Sequence, residues 1–243
     1  MSPETPAPKV VIAGTGRAGT TLLVQVLTDL GLDTGFKPGI QANSEARAGL
    51  EKNILAANAP RIVKSPRLST DLGPLLDRGE VAVEHLVIPV RDLDVAAASR
   101  VRAASYGRSL NAQGGMLWGT KRPTAQRQAL AEVLAELLVT AARHDIPTTL
   151  LYFPRFASDP EYLHRKLCAF EPDLALADVE RVLAERYRPD YVHEQPLDRA
   201  EQAKVRFSAP IAFSKRVVAV GRRTLRSGSR PDEAPLTPPA NND

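Results

Sequence analysis

The sequence predicts an α/β fold, a parallel sheet with helices on both faces, and three observations carry that prediction. Four short apolar runs, Lys9–Ala13, Arg61–Lys64, His85–Val90 and Thr148–Phe153, alternate with segments of helical periodicity. Most of these runs are near-continuously apolar, as strands buried on both faces are. A glycine-rich segment lies between the first run and the first helix, where folds of this kind hold phosphate.

Taken in order, residues 1–8 carry three prolines and no periodicity, and read as a loose leader. Lys9–Ala13 (KVVIA) reads as a buried strand closed by Gly14. From Thr20, Leu23, Val26, Leu27 and Leu30 recur at helical spacing until Gly31 stops them. Residues 33–60 read as loops with a short helix around Ser44–Leu55. Arg61–Lys64 is a second strand ended by Pro66, which cannot donate to a ladder. His85–Val90 (HLVIPV) is a third, followed by an alanine-rich helix over 94–104. Residues 105–123, with Gly107, Gly114, Gly115, Gly119 and Pro123, read as an extended binding loop. Leu130, Val133, Leu134, Leu137, Leu138 and Ala141 mark a long helix, Thr148–Phe153 a fourth strand, and 160–170 and 177–186 two further helices. Residues 9–226 thus form one domain. The tail 227–243 lacks the apolar content to fold.

Composition narrows the function. The 243 residues are 43% hydrophobic and 25% charged, ordinary for a globular chain with one substantial core. A net charge of +4 suits an anionic ligand but is too mild for nucleic acid. One cysteine, Cys168, excludes an intrachain disulfide and a thiolate zinc cluster. His85, His144, His164 and His193 show no metal-ligand spacing, so no metal is expected. The N-terminus lacks a signal-peptide pattern, and no apolar run approaches the roughly 20 residues that span a bilayer. The expectation is a soluble cytoplasmic protein.

The chemistry concentrates in Gly14-Thr15-Gly16-Arg17-Ala18-Gly19-Thr20-Thr21. Glycines permit a tight backbone nest, its N–H groups face an anion, and the following helix adds a positive field. The spacing fits the nucleotide phosphate loop GxxxxGK[ST], except that Thr20 stands where the lysine belongs. Losing that lysine while gaining Arg17 moves the positive charge to another part of the ligand.

At these residues the chain resembles the sulfotransferases that use 3′-phosphoadenosine-5′-phosphosulfate (PAPS), in particular their bacterial branch. Their 5′-phosphosulfate loop reads [RK]-S-G-[ST]-[ST]-x-L, and Arg17-Ala-Gly-Thr-Thr-Leu-Leu23 matches with Ala18 for serine. The resemblance implies a P-loop fold, with Arg17, Gly19, Thr20 and Thr21 on the 5′-phosphosulfate and Arg17 stabilising the leaving group. The family holds the 3′-phosphate with an arginine ending a strand and a serine eight residues on. Arg91 and Ser99 fit that spacing, at a strand-to-helix junction about 70 residues after the loop. Val63-Lys64-Ser-Pro-Arg67 resembles the family's K-[DS]-P-R, which implies Lys64 or Arg67 near the transferring group; a surface strand end is the other reading. Tyr152 stands where the family has a tyrosine near the donor adenine, with a core position as the alternative.

The histidine base of the cytosolic branch is absent, since Pro66 stands at its place. Gly49-Leu-Glu51 resembles the segment in which other branches carry a glutamate base, so Glu51 is preferred over Glu45. The expected function is therefore metal-independent sulfuryl transfer from PAPS, leaving PAP, to a hydroxyl on a sugar, glycolipid or small natural product. A P-loop small-molecule kinase and a degenerate nucleotide-binding protein are the alternatives. Trp118 reads as a loop anchor or an acceptor wall. Ser214–Arg230 carries six basic residues and no acid, and reads as a solvated basic helix or as an amphipathic element contacting an anionic membrane peripherally.

Overall fold

The computed structural model describes residues 6–42, 49–106, 117–118, 125–188 and 211–212. A four-stranded parallel sheet runs through it in the order β2-β1-β3-β5, from Ile62–Lys64, Lys9–Ile12, Val83–Val90 and Thr148–Tyr152. The predicted α/β architecture with helices on both faces is present.

Alternation along the strands divides the core into two layers. Val10 and Ile12 of β1, Val87 of β3 and Leu151 of β5 point to one face. There they meet α1 (Thr20–Asp29), α5 (Arg155–Ser158), α6 (Pro160–Leu167) and α7 (Leu176–Arg186) through Leu23, Leu27, Phe156, Leu163 and Val182. Val11, Val63, Leu86 and Ile88 point to the other face, against α2 (Leu68–Asp77) and α4 (Gln126–Arg143) through Leu72, Leu75 and Leu137. Each such side chain contributes about 1.5–3 kcal/mol by leaving water. Ala96 and Ala97 of α3 (Leu93–Tyr106) pack on Leu130 and Val133 of α4. A second, two-stranded sheet pairs β4 (Leu117–Trp118) with β6 (Ile211–Ala212) in parallel.

Several elements differ from expectation: the sequence does not predict α5, and β4 forms inside the segment that reads as a loop over 105–123, of which 107–116 and 119–123 lie outside the described residues. The helix α2 is absent from the sequence reading because Pro66, Gly73 and Pro74 look like breakers. Gly73 is there for packing, since a Cβ on it would lie 3.1 Å from Thr140 Oγ1 of α4. Conversely, the helix expected around Ser44–Leu55 is not formed over its described part, 49–55. Gly49 (φ 109°) and Leu50 (φ 57°) turn the chain, and Lys52 N donates to Lys64 O at 3.1 Å, which docks the segment beside β2. Glu45, the leader up to residue 5, the tail 227–243 and the basic stretch Ser214–Arg230 lie outside the described residues. No described helix is long and apolar enough to cross a membrane.

Candidate functional site

Parallel strands deliver all their C-terminal ends to one edge of the sheet. β1 and β3 are neighbours there, and the chain after β1 turns to the first face while the chain after β3 enters α3, which packs with α4 of the second face. Such a divergence opens a crevice between the two strand ends. The Gly14–Gly19 loop occupies it.

The loop is pinned at its start and turned by left-handed residues. Ser69 of α2, buried, donates to Gly14 O at 2.7 Å and accepts from Gly14 N at 2.9 Å. Gly16 (φ 67°), Arg17 (φ 58°) and Gly19 (φ 75°) then turn the backbone into the start of α1. Left-handed residues in such a turn aim successive amides inward as an anion nest. Gly19 caps α1 without a side-chain bond and the first turn holds no acid, so nothing on those residues neutralises the helix's positive end. Glycine is required at 19 for a second reason: a Cβ would lie 2.5 Å from Phe153 Cδ2 and 2.8 Å from Phe156 Cζ, both rings buried. Strain and overpacking together make Gly19→Ala cost about 2–4 kcal/mol, which denaturant unfolding will read as a lower midpoint at unchanged slope.

The predicted anion ligands converge on this loop. Arg17 Nε donates to Ser99 Oγ at 3.2 Å, across 82 positions of sequence. Arg91, buried, donates from one terminal nitrogen to Arg17 O at 3.2 Å and lies over the Phe153 ring at 5.0 Å. The sequence assigned Arg17 to one anion and the Arg91–Ser99 pair to another; the fold joins all three. Asp92, next to Arg91, accepts from Val95 N at 2.9 Å and caps α3, so its carboxylate serves the helix start.

Lys64 closes the β2 side, and it is no surface strand end: its side chain is 5% exposed. Its Nζ donates to Gly49 O at 2.6 Å and stands 3.6 Å from Glu51 Oε1. Burial holds the Lys64 ammonium below the usual lysine range; Glu51 opposes that shift and Arg17 adds to it. Glu51 and Lys64 thus form a pair on the β2 side of the loop. Glu51 comes from a docked loop rather than the expected helix, and its side chain is partly exposed. Arg67 is exposed at the start of α2.

Three residues that sequence reasoning passed over complete the site: Ser69, Phe153 and Arg100. Arg100, 2% exposed, donates to Thr15 O at 2.6 Å. The sequence holds no signal for it, because Ala96, Ala97, Ala98, Ser99, Arg100 and Val101 are all buried in succession and mark no single stripe of α3. Ser69 had none either, because its helix was not recognised. Tyr152 is exposed on β5, so its core alternative does not hold. Trp118 contributes backbone to β4, opposite Ala212. Among the described residues there is no group of three or more His, Cys, Asp or Glu able to hold a metal.

No family model matches this chain, and no curated protein does. Among solved structures it is similar to the sulfotransferase domain from the Synechococcus PCC 7002 olefin synthase, at 16% identity and a TM-score of 0.46, over 95% of this chain and 98% of that one. At that distance the likeness speaks to neither activity nor substrate.

Proposed function

We propose that this protein is a sulfotransferase that takes its sulfuryl group from PAPS and gives it to a hydroxyl of a sugar, glycolipid or small natural product. The observation that carries the reading is the junction at Arg17, whose side chain reaches Ser99 while its carbonyl receives Arg91. Cations suited to a 5′ and a 3′ anion therefore line one crevice, beside a left-handed loop and an uncapped helix start. That donor set fits a nucleotide with two separated anionic groups.

Bound there, PAPS supplies a sulfuryl group whose bond to the 5′-phosphate oxygen breaks as a bond to the acceptor oxygen forms. The loop amides and the start of α1 hold the 5′ end. Arg91 gives a planar fork and Ser99 a hydroxyl for the 3′-phosphate. Arg17 offsets the charge left on the departing phosphate, with Lys64 beside it. Glu51 accepts the acceptor's proton at its carboxylate. Catalysis on this plan rests on positioning and preorganised charge.

The phosphoryl-transfer alternative is weaker on two counts: Thr20 replaces the loop lysine, and Asp92 is engaged as a helix cap. Nucleotide preference tests the choice. PAP, the desulfated product, is expected to raise the unfolding temperature at far lower concentration than ADP or ATP, adding about 2.7 kcal/mol at a hundred times its Kd. Equal stabilisation by all three would remove the sulfotransferase reading in favour of a kinase.

A further inference from the structure

We propose that Arg100 is a positioning residue for the anion-binding loop, bracing its first turn from below and lending the site a fixed positive charge. The inference rests on the anion-binding half of the reading above and not on which nucleotide occupies the loop. Arg100 belongs to α3, a different part of the chain from the loop, yet it bonds to the turn directly. Its guanidinium donates to Thr15 O at 2.6 Å, and Thr15 is itself 2% exposed. A Cβ on Gly16 would stand 2.5 Å from the same guanidinium nitrogen, so the loop has no room for a side chain where Arg100 passes beneath.

The choice of residue type is informative. A backbone carbonyl is satisfied by any neutral donor, whereas a buried guanidinium carries a heavy desolvation cost. Here that cost is increased by a second cation: burial first and Arg17 next push Arg100 down to about 9, which leaves it protonated at neutral pH. A phosphate or sulfate held on the loop amides would offset the repulsion between these two cations. Perturbed charges arranged this way are characteristic of binding sites. Arg100 touches the loop backbone from the interior side and is not expected to touch the ligand.

Calorimetry of PAP and ADP binding to wild type, Arg100→Gln and Arg100→Lys, below each protein's unfolding temperature and over a range of salt, separates the roles. Gln keeps a hydrogen-bond donor without charge, and Lys keeps the charge without the fork. Arg100→Gln is expected to weaken both nucleotides at least tenfold and to flatten the salt dependence, while Arg100→Lys stays within threefold of wild type. A purely structural brace would lower the unfolding temperature and leave affinity in the folded protein alone. Affinity within threefold in both variants, or an equal loss in both, overturns the proposal. Should only Arg100→Lys fold, its affinity decides alone on the same threefold limit; failure of both to fold leaves Arg100 a structural residue and overturns the proposal too. Wild-type preference for PAP over ADP bears only on the donor, so the two readings can fail separately; wild type that binds neither nucleotide overturns this one.

Discussion

Replacing Glu51 by glutamine is expected to lower turnover by a factor of about 10²–10⁴, the usual contribution of a general base, while PAP affinity stays within threefold. The carboxylate stands 3.6 Å from Lys64 Nζ, and its loop is fixed at two points, by Lys64 Nζ on Gly49 O and by Lys52 N on Lys64 O. It is therefore held beside a cation with its side chain partly exposed. Glutamine preserves shape and one acceptor oxygen but cannot take a proton. Lys64 keeps its bond to the Gly49 carbonyl in the variant, so the loop is expected to stay docked. Steady-state rates with saturating donor, read beside PAP titrations, check this. Turnover of Glu51→Gln within threefold of wild type, with PAP binding intact, would remove Glu51 as the base.

Arg17→Ala has the second large effect. The arginine carries the charge at the turn of the loop and hydrogen-bonds Ser99. Removing one preorganised donor from a site of developing charge costs about 10²–10³ in turnover. Alanine adopts φ 58° no more readily than arginine does, so the backbone strain at this position is retained and the change isolates the side chain. Both PAP and ADP should bind more weakly, because Arg17 lies on the loop proposed to receive the 5′-phosphate of each. Arg17→Lys should recover part of the loss, since lysine restores the charge without the planar fork. Unchanged rates in Arg17→Ala would mean that the charge stabilising the leaving group comes from elsewhere in the crevice.

How far the sequence leads depends on whether the deciding interaction is local. β1, β3 and β5 follow from short apolar runs, and α1 and α4 from helical spacing, because burial on a fixed face imposes a period that composition displays. The loop is legible through its glycines, since left-handed turns favour glycine, as at Gly16 and Gly19. Arg91 and Ser99 stand out only through the resemblance, whose spacing is kept because one strand end and one helical turn set their separation. What the sequence hides is contact between distant segments. Gly73 and Pro74 conceal α2 because the glycine answers to Thr140, 67 residues away. Ser69 then goes unseen although it holds both polar groups of Gly14. Gly49 and Leu50 unwind the helix expected at Glu51 because the segment bonds to β2 instead. Arg100 reads as one more solvated charge until the fold buries it.

The central claim is that the crevice selects its nucleotide through a 3′-phosphate, and calorimetry of PAP against ADP tests it most directly. A phosphate held by an arginine fork and a hydroxyl makes charge-assisted bonds worth roughly 1.5–3 kcal/mol each. Wild-type protein should therefore bind PAP at least tenfold more tightly than ADP, which lacks that group. Arg91→Ala should erase most of the preference by weakening PAP while changing ADP little. Wild-type protein that binds ADP as tightly as PAP, or an Arg91→Ala variant that keeps the full preference, would contradict the account.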